Sequence, residues 1–292
     1  MRQDNSAVAM ALAFMLSFGA QSPAFADQVV TSESVTFLAA TRVDPEASVR
    51  AELRLPESPA KLPAVVIIHG SGGLFDRAGD DYIAALNKAG IATLQLNLFP
   101  KGGRPASPRL NLPHTYGSLI YLARHPRIDP ARVGVMGFSW GGVLSIQSAS
   151  SELNEIYTSG QYKFAAHLPL YPVCWSRQWE MEGHNKFYPT NIYKSVTGAP
   201  VHILAGEDDQ YDDSDSCPKF VQALPDTVRK YFAVTIYPGA GHSWDTHENR
   251  NGIDPAAYKG RGGNVSHYRN DKAAAQSLAF AVKFFSAMPP GK

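Results

Sequence analysis

Apolar runs of strand length alternate along the chain with stretches of helical periodicity. The segment "LPAVVIIHG" (62–70) is continuously apolar, the pattern of a strand covered on both faces. The helical "DDYIAALNKAG" follows, with Gly90 in the place of a C-cap. Next come a strand at 91–99, a helix at 115–126, and the strand "RVGVMGFS" (132–139), which runs into the helical "WGGVLSIQSASSEL". Further strands are expected at 164–172, 200–208 and 232–240, and a last helix at 271–288. Ahead of all these, "VTFLAA" (35–40) and "VRAELRLP" (49–56) are β-rich. The alternation predicts an α/β fold, a mostly parallel doubly wound sheet with helices on both faces, formed as one domain over 27–292. Two segments escape the pattern. Residues 173–199 carry Trp175, Trp179, Phe187 and Tyr188 with little periodicity, and residues 243–270 are rich in Gly, Asn and His. Loops of that length in a compact domain are commonly functional or disordered.

The first 26 residues read differently. Arg2 precedes the apolar "AVAMALAFMLSFGA" (7–20), and "QSPAFA" places small residues at Ala24 and Ala26. That pattern predicts a secretory signal over 1–26, cleaved after Ala26, and a periplasmic or secreted protein. The run is short for a bilayer span, and no later stretch is apolar enough for a membrane helix, so no membrane partner is expected after cleavage. Composition adds little: 44% of the 292 residues are hydrophobic and 18% charged, as in ordinary globular chains. A net charge of +1 gives no reason to expect nucleic acid. Nothing in the pattern fixes an oligomeric state. Export does change the meaning of the two cysteines, Cys174 and Cys217, which are expected to pair in an oxidising compartment.

In a doubly wound sheet the chemistry sits at the carboxyl ends of the strands. Ser139 ends one strand inside "GVMGFSWGG", Asp209 lies just past "VHILAG", and His242 just past "FAVTIYPGAG". A serine hydroxyl needs an adjacent imidazole to take its proton, and the imidazole needs a carboxylate to hold its tautomer. The G-x-S-x-G turn exposes such a serine in a sharp bend, where flanking glycines let backbone come close. "HGSGG" (69–73) follows the first long buried strand, so a backbone N–H of Ser71 or Gly72, with that of Trp140, would form an oxyanion hole. Asp208 rivals Asp209, because Glu207, Asp208, Asp209, Asp212, Asp213 and Asp215 crowd one loop and periodicity does not choose among them.

At these residues the chain resembles the dienelactone hydrolase family of α/β-hydrolases. "IIHGSGGL", "GVMGFSWGG", "LYPVC", "LAGEDDQYDDSDSC", "YPGAGHSWD" and "YRNDKAAAQSLAFAVKFF" occur in family order over nearly all of 27–292. The resemblance implies the α/β-hydrolase fold, Asp209 as the acid and His242 as the base. It also implies a Cys174–Cys217 bridge, since "YPVC" and "DSDSC" resemble the family's secreted branch. One departure stands out. The family's namesake enzymes use a cysteine nucleophile controlled by a glutamate near the oxyanion loop, whereas here the residues are Ser139 and Leu74-Phe75. A serine–histidine pair favours general ester or acyl hydrolysis.

The expected activity is therefore that of an exported serine hydrolase acting on small carboxylic esters or lactones, with no metal or cofactor. Phe75, Trp140, Trp175, Trp179 and Trp244 are expected to line an acyl pocket, with a place in the core as the alternative for the tryptophans, and His247 and His267 to be exposed. His167 and His202 are expected to be structural. Peptide or amide hydrolysis on the same triad, or a non-catalytic binding protein of the same fold, are the alternatives. A calcium loop at the acidic cluster fails the EF-hand spacing, because Ser214 stands where Gly is required. "HENRN" (247–251) lacks the second histidine of a zinc protease, and "GSGG" lacks the Lys-Ser/Thr of a P-loop.

Overall fold

Each apolar run expected in the sheet forms a strand in the structure, a computed structural model that describes residues 29–41, 47–77, 79–100, 102–103, 105, 107–181 and 192–290. The expected signal segment 1–26, and Phe187 and Tyr188, lie outside the described residues. In chain order the elements begin with β1 (Val30–Leu38), β2 (Ser48–Pro56), β3 (Leu62–Ile68), α1 (Asp80–Lys88), β4 (Ala92–Asn97) and α2 (Leu112–Arg124). Then come β5 (Ile128–Phe138), α3 (Trp140–Gln147), α4 (Ser151–Thr158), β6 (Ala166–Leu170), α5 (Cys174–Met181), β7 (Val201–Gly206) and α6 (Ser216–Ala223). The last are α7 (Asp226–Arg229), β8 (Phe232–Tyr237), β9 (Arg250–Asp254), α8 (Ala257–Gly260), β10 (Gly263–His267) and α9 (Asp271–Ser286).

The main sheet has the order β1-β2-β4-β3-β5-β6-β7-β8. Pairing is antiparallel from β1 through β2 to β4 and parallel from β4 onward. Strand β3 shows why its sequence has no polar alternation. Ala64, Val66 and Ile68 pack into one layer with Leu119, Leu144 and Phe220, from α2, α3 and α6. Val65 and Ile67 pack into the opposite layer with Tyr82 and Leu86 of α1 and Phe285 of α9. Fully burying each such Val or Ile stabilises the fold by about 1.5–3 kcal/mol. Among the described residues no helix is long and apolar enough to cross a membrane.

Three segments differ from expectation. "WGGVLSIQSASSEL" reads as one helix but splits into α3 and α4, because the backbone at the break pairs with a distant segment instead. Thr197 N–H donates to Ala149 O and Ser151 N–H to Ser195 O (3.0 and 3.1 Å), while the Ser150 hydroxyl caps α4 by accepting from Leu153 N–H. The irregular insertion at 173–199 opens with a helix, α5, and Cys174 at its start is bonded to Cys217 in α6. Inside 243–270, β9 and β10 form an antiparallel pair.

Candidate active site

The glycines around Ser139 answer to contact rather than to flexibility. A Cβ on Gly137 would lie 2.1 Å from the Gly141 carbonyl oxygen, one on Gly141 2.1 Å from Ile68 O, and one on Gly142 2.8 Å from Leu170 O. Strand β5 thus turns directly into α3 with backbone against backbone. Ser139 sits at the turn with φ 48° and ψ −104°, left-handed backbone that a non-glycine residue occupies at a cost. Two hydrogen bonds hold it there: its N–H donates to Leu170 O and its carbonyl accepts from Val143 N–H, both at 3.0 Å. The residue is half-buried and faces a cavity of about 510 Å³.

His242 lines the same cavity. Its Nδ1 lies 2.7 Å from Asp209 Oδ2, and both residues are buried. A carboxylate oxygen at that distance places the proton on Nδ1 and leaves the Nε2 lone pair as the basic site. Asp209 Oδ1 accepts from Tyr211 N–H (2.8 Å), so both carboxylate oxygens are engaged. Asp208 is exposed, and its backbone N–H donates to Ala240 O (2.9 Å). The imidazole of His242 is packed by aromatic rings: Tyr211 at 4.4 Å, Tyr171 at 4.8 Å and His267 at 5.8 Å between centroids.

Ser71, Gly72 and Trp140 all border the cavity. The loop carrying the first two is pinned by His69, whose Nε2 accepts from Leu98 N–H (3.0 Å). Nδ1 therefore carries the proton and donates to Gly70 O (2.7 Å), tying the end of β3 to the end of β4. The Trp140 indole N–H donates to Asn111 Oδ1 (3.0 Å), which fixes the side chain next to Ser139.

The expected pocket residues divide. Trp175 lines the cavity. Trp179 does not: it is exposed, because α5 buries Cys174, Arg177 and Glu180 and position 179 lies on the other side of that stripe. Trp244 is core, not pocket. It is fully buried, donates its indole N–H to Ser277 Oγ on α9 (3.1 Å), and packs between Tyr171 and Tyr237. Phe75 falls in a 3₁₀ turn (Gly73–Asp76), and its side chain lies outside the described residues. His267 is not exposed as expected: β9 pairs with the strand that carries it, and the ring is buried against Tyr211. His247 is exposed; His167 and His202 are held by Ser145 O and Thr235 Oγ1.

Sequence reasoning did not find Tyr171, Val173, Arg177, Tyr211 or Arg250, which also border the cavity. Tyr211 OH donates to Asp254 Oδ2 (2.9 Å), and burial together with that acceptor holds its phenol far above the ordinary range. Asp212, beside it, accepts from the backbone N–H groups of Cys174 and Trp175 at the start of α5. Burial raises its carboxyl to about 7. Among the described residues one group of metal-ligating types converges, Cys174, Asp212 and Cys217, but its two sulfurs are bonded to each other.

Comparison with known proteins agrees with this architecture. A lactonase of Bradyrhizobium sp., named "Probable 2-oxo-3-(5-oxofuran-2-ylidene)propanoate lactonase", is 24% identical over 213 residues, covering 68% of this chain and 79% of its own. The esterase Est1E from Butyrivibrio proteoclasticus superposes with a TM-score of 0.59 at 15% identity, covering 87% of this chain and 98% of its own. A dienelactone hydrolase-like promiscuous phosphotriesterase from metagenomic libraries gives 0.58 at 17% identity, covering 89% and 98%. At such identities the two structures speak for the α/β-hydrolase fold alone. The sequence pattern of the dienelactone hydrolase family matches residues 49–288, and on that match the chain belongs to the dienelactone hydrolase family.

Proposed function

We propose that this protein is an exported hydrolase of small carboxylic esters or lactones, working through Ser139, His242 and Asp209. The observation that carries the reading is the buried 2.7 Å contact of Asp209 with His242, which lines a cavity that also receives Ser139 from a strained strand-to-helix turn. His242 Nε2 takes the Ser139 proton as Oγ attacks the substrate carbonyl, and Asp209 stabilises the imidazolium that results. The carbonyl oxygen becomes an oxyanion facing the backbone N–H of Trp140 and that of Ser71 or Gly72; losing one such donor costs about 3–4 kcal/mol. Collapse of the tetrahedral adduct breaks the C–O bond, the imidazolium hands its proton to the departing alkoxide, and an acyl-serine ester remains. Water, deprotonated by the same imidazole, then releases the acid and restores the hydroxyl.

Family membership and the lactonase relative support an ester or lactone substrate. The cavity wall supports a small one with an apolar acyl part, since Trp140, Val143, Val173 and Trp175 face it. Export rests on the signal pattern at 1–26. The decisive experiment is Ser139→Ala with a p-nitrophenyl ester and a fluorophosphonate probe. Both the burst and the labelling are expected to disappear while the circular dichroism spectrum stays that of the parent. A burst that survives the substitution removes Ser139 from the mechanism.

A further inference from the structure

Beside the imidazole lies a second buried carboxylate that the steps above do not use. Asp245 follows His242 by three residues in one tight turn, closed by Thr246 N–H donating to Ser243 O (2.9 Å), with Ser243 in the left-handed region at φ 58°. The turn sends both side chains inward, 3% exposed for His242 and 2% for Asp245. Each carboxylate oxygen of Asp245 is held by a phenol: Tyr171 OH donates to Oδ1 (2.8 Å) and Tyr82 OH to Oδ2 (2.9 Å). The Tyr171 ring, which borders the cavity, is the one packed 4.8 Å from the His242 ring. Tyr82 is anchored in turn to Ser277 Oγ on α9 (2.7 Å), and Arg269 reaches the Asp245 backbone carbonyl (3.2 Å). Burial raises the Asp245 carboxyl to about 6, against the pull of its two phenols and of the His242 charge.

We propose that Asp245 is a positioning residue: its carboxylate, gripped by Tyr82 and Tyr171, sets the Tyr171 ring against His242 and supplies a second negative charge for the imidazolium. The inference rests on the Ser139–His242–Asp209 reading. His242 is thereby faced by Asp209 and Tyr211 from the loop after β7, Tyr171 from the end of β6 and His267 from β10, and the Tyr171 hydroxyl links it to Asp245 of its own turn. An imidazole that loses a nearby anion holds its proton less tightly.

The test is the pH profile of kcat/KM for p-nitrophenyl butyrate in the parent, Asp245→Asn, Tyr82→Phe and Ser139→Ala proteins. Asp245→Asn is expected to lower kcat roughly tenfold, leave KM unchanged, and move the acid limb to lower pH by about half a unit. Tyr82→Phe, which touches neither the cavity nor His242, removes a donor from the carboxylate and favours its neutral form. It is expected to move the limb the same way by less, and it decides the matter should Asp245→Asn not fold. A limb that stays in place or moves upward in the folded variants overturns the proposal, even with kcat reduced, because a merely structural role would give that result. An inert Ser139→Ala beside an unmoved limb overturns this proposal alone; an active Ser139→Ala overturns the triad reading and this proposal with it.

Discussion

Gly141→Ala probes the contact on which the turn at Ser139 depends. The added Cβ would sit 2.1 Å from Ile68 O and 2.7 Å from its carbonyl carbon, where ordinary contact begins near 3.4 Å. The deficit of about 1.3 Å falls on backbone at both sides, since Ile68 ends β3 and Gly141 lies in the first turn of α3. No rotamer relieves it, so the strand and the helix must part. Overpacking of this kind costs about 1–3 kcal/mol, offset in part by the better helix propensity of Ala, about 1 kcal/mol at an interior position. A net loss of about 1 kcal/mol would lower the melting temperature by roughly 2–4 °C. Activity should suffer more, because the shift moves Ser139 away from Ser71 and Gly72, and a misplacement of about 1 Å costs roughly 100-fold in rate. Gly90→Ala is the control: at φ 77° with nothing within 4 Å, it should lose about 1–2 kcal/mol to left-handed strain and no activity. Parallel thermal melts and kcat/KM on a p-nitrophenyl ester separate the two effects. Gly141→Ala with the parent's kcat/KM would refute the close-approach argument.

Two further outcomes follow from particular side chains. Asp209→Asn should cut kcat by about three to four orders of magnitude, while Asp208→Asn should leave it within twofold, because only Asp209 meets the imidazole; steady-state kinetics on the pair checks this. His167 is fully buried, and burial lowers its imidazole to about 4 from an ordinary 6.5. The unfolded chain therefore takes up that proton first as the pH falls, so the contribution is present above pH 6.5 and is lost as the pH drops towards 4. His167→Asn, which keeps a donor for Ser145 O, should reduce the stability lost between pH 7 and 5 by roughly 2 kcal/mol in urea titrations. The raised carboxyls of Asp212 and Asp245 act in the opposite sense, their contribution fading as the pH rises from the ordinary carboxylate range to about 7 and about 6.

The sheet was legible because its central strands are covered on both faces. A segment such as Leu62–Ile68 has to be apolar at every position, and that leaves an unbroken run in the sequence. Ser139 could be placed at the cavity for a related reason: it directly follows such a run in β5, whereas His242 follows the partly exposed edge strand β8 and was picked out only by its place after a strand end. The cavity wall left no comparable trace. In β9 the residues read exposed at four of five positions, so no alternation marks them as a strand, yet Arg250 and Asp254 border the cavity. Trp175, Trp179 and Trp244 are equal in composition but not in place. One faces the cavity, one faces solvent and one lies in the core, and the difference is set by helix phase in α5 and by the left-handed Ser243 next to Trp244.

The choice between Asp208 and Asp209 shows where the missing information resides. Both follow β7 and both are carboxylates, so periodicity does not separate them. What separates them is the neighbouring loop. A Cβ on Gly206 would lie 2.2 Å from Ala240 O, so the end of β7 is pressed against the chain that leads to His242. The same Ala240 carbonyl accepts the Asp208 N–H, which engages the backbone at 208 and leaves that side chain in solvent. The next residue, of opposite facing, is then delivered to His242 Nδ1, and Tyr211 N–H fixes its other oxygen. Which of the two carboxylates meets His242 thus follows the close approach of residues 206 and 240, which periodicity within one segment does not contain and to which only the family resemblance of "LAGEDDQYDDSDSC" pointed.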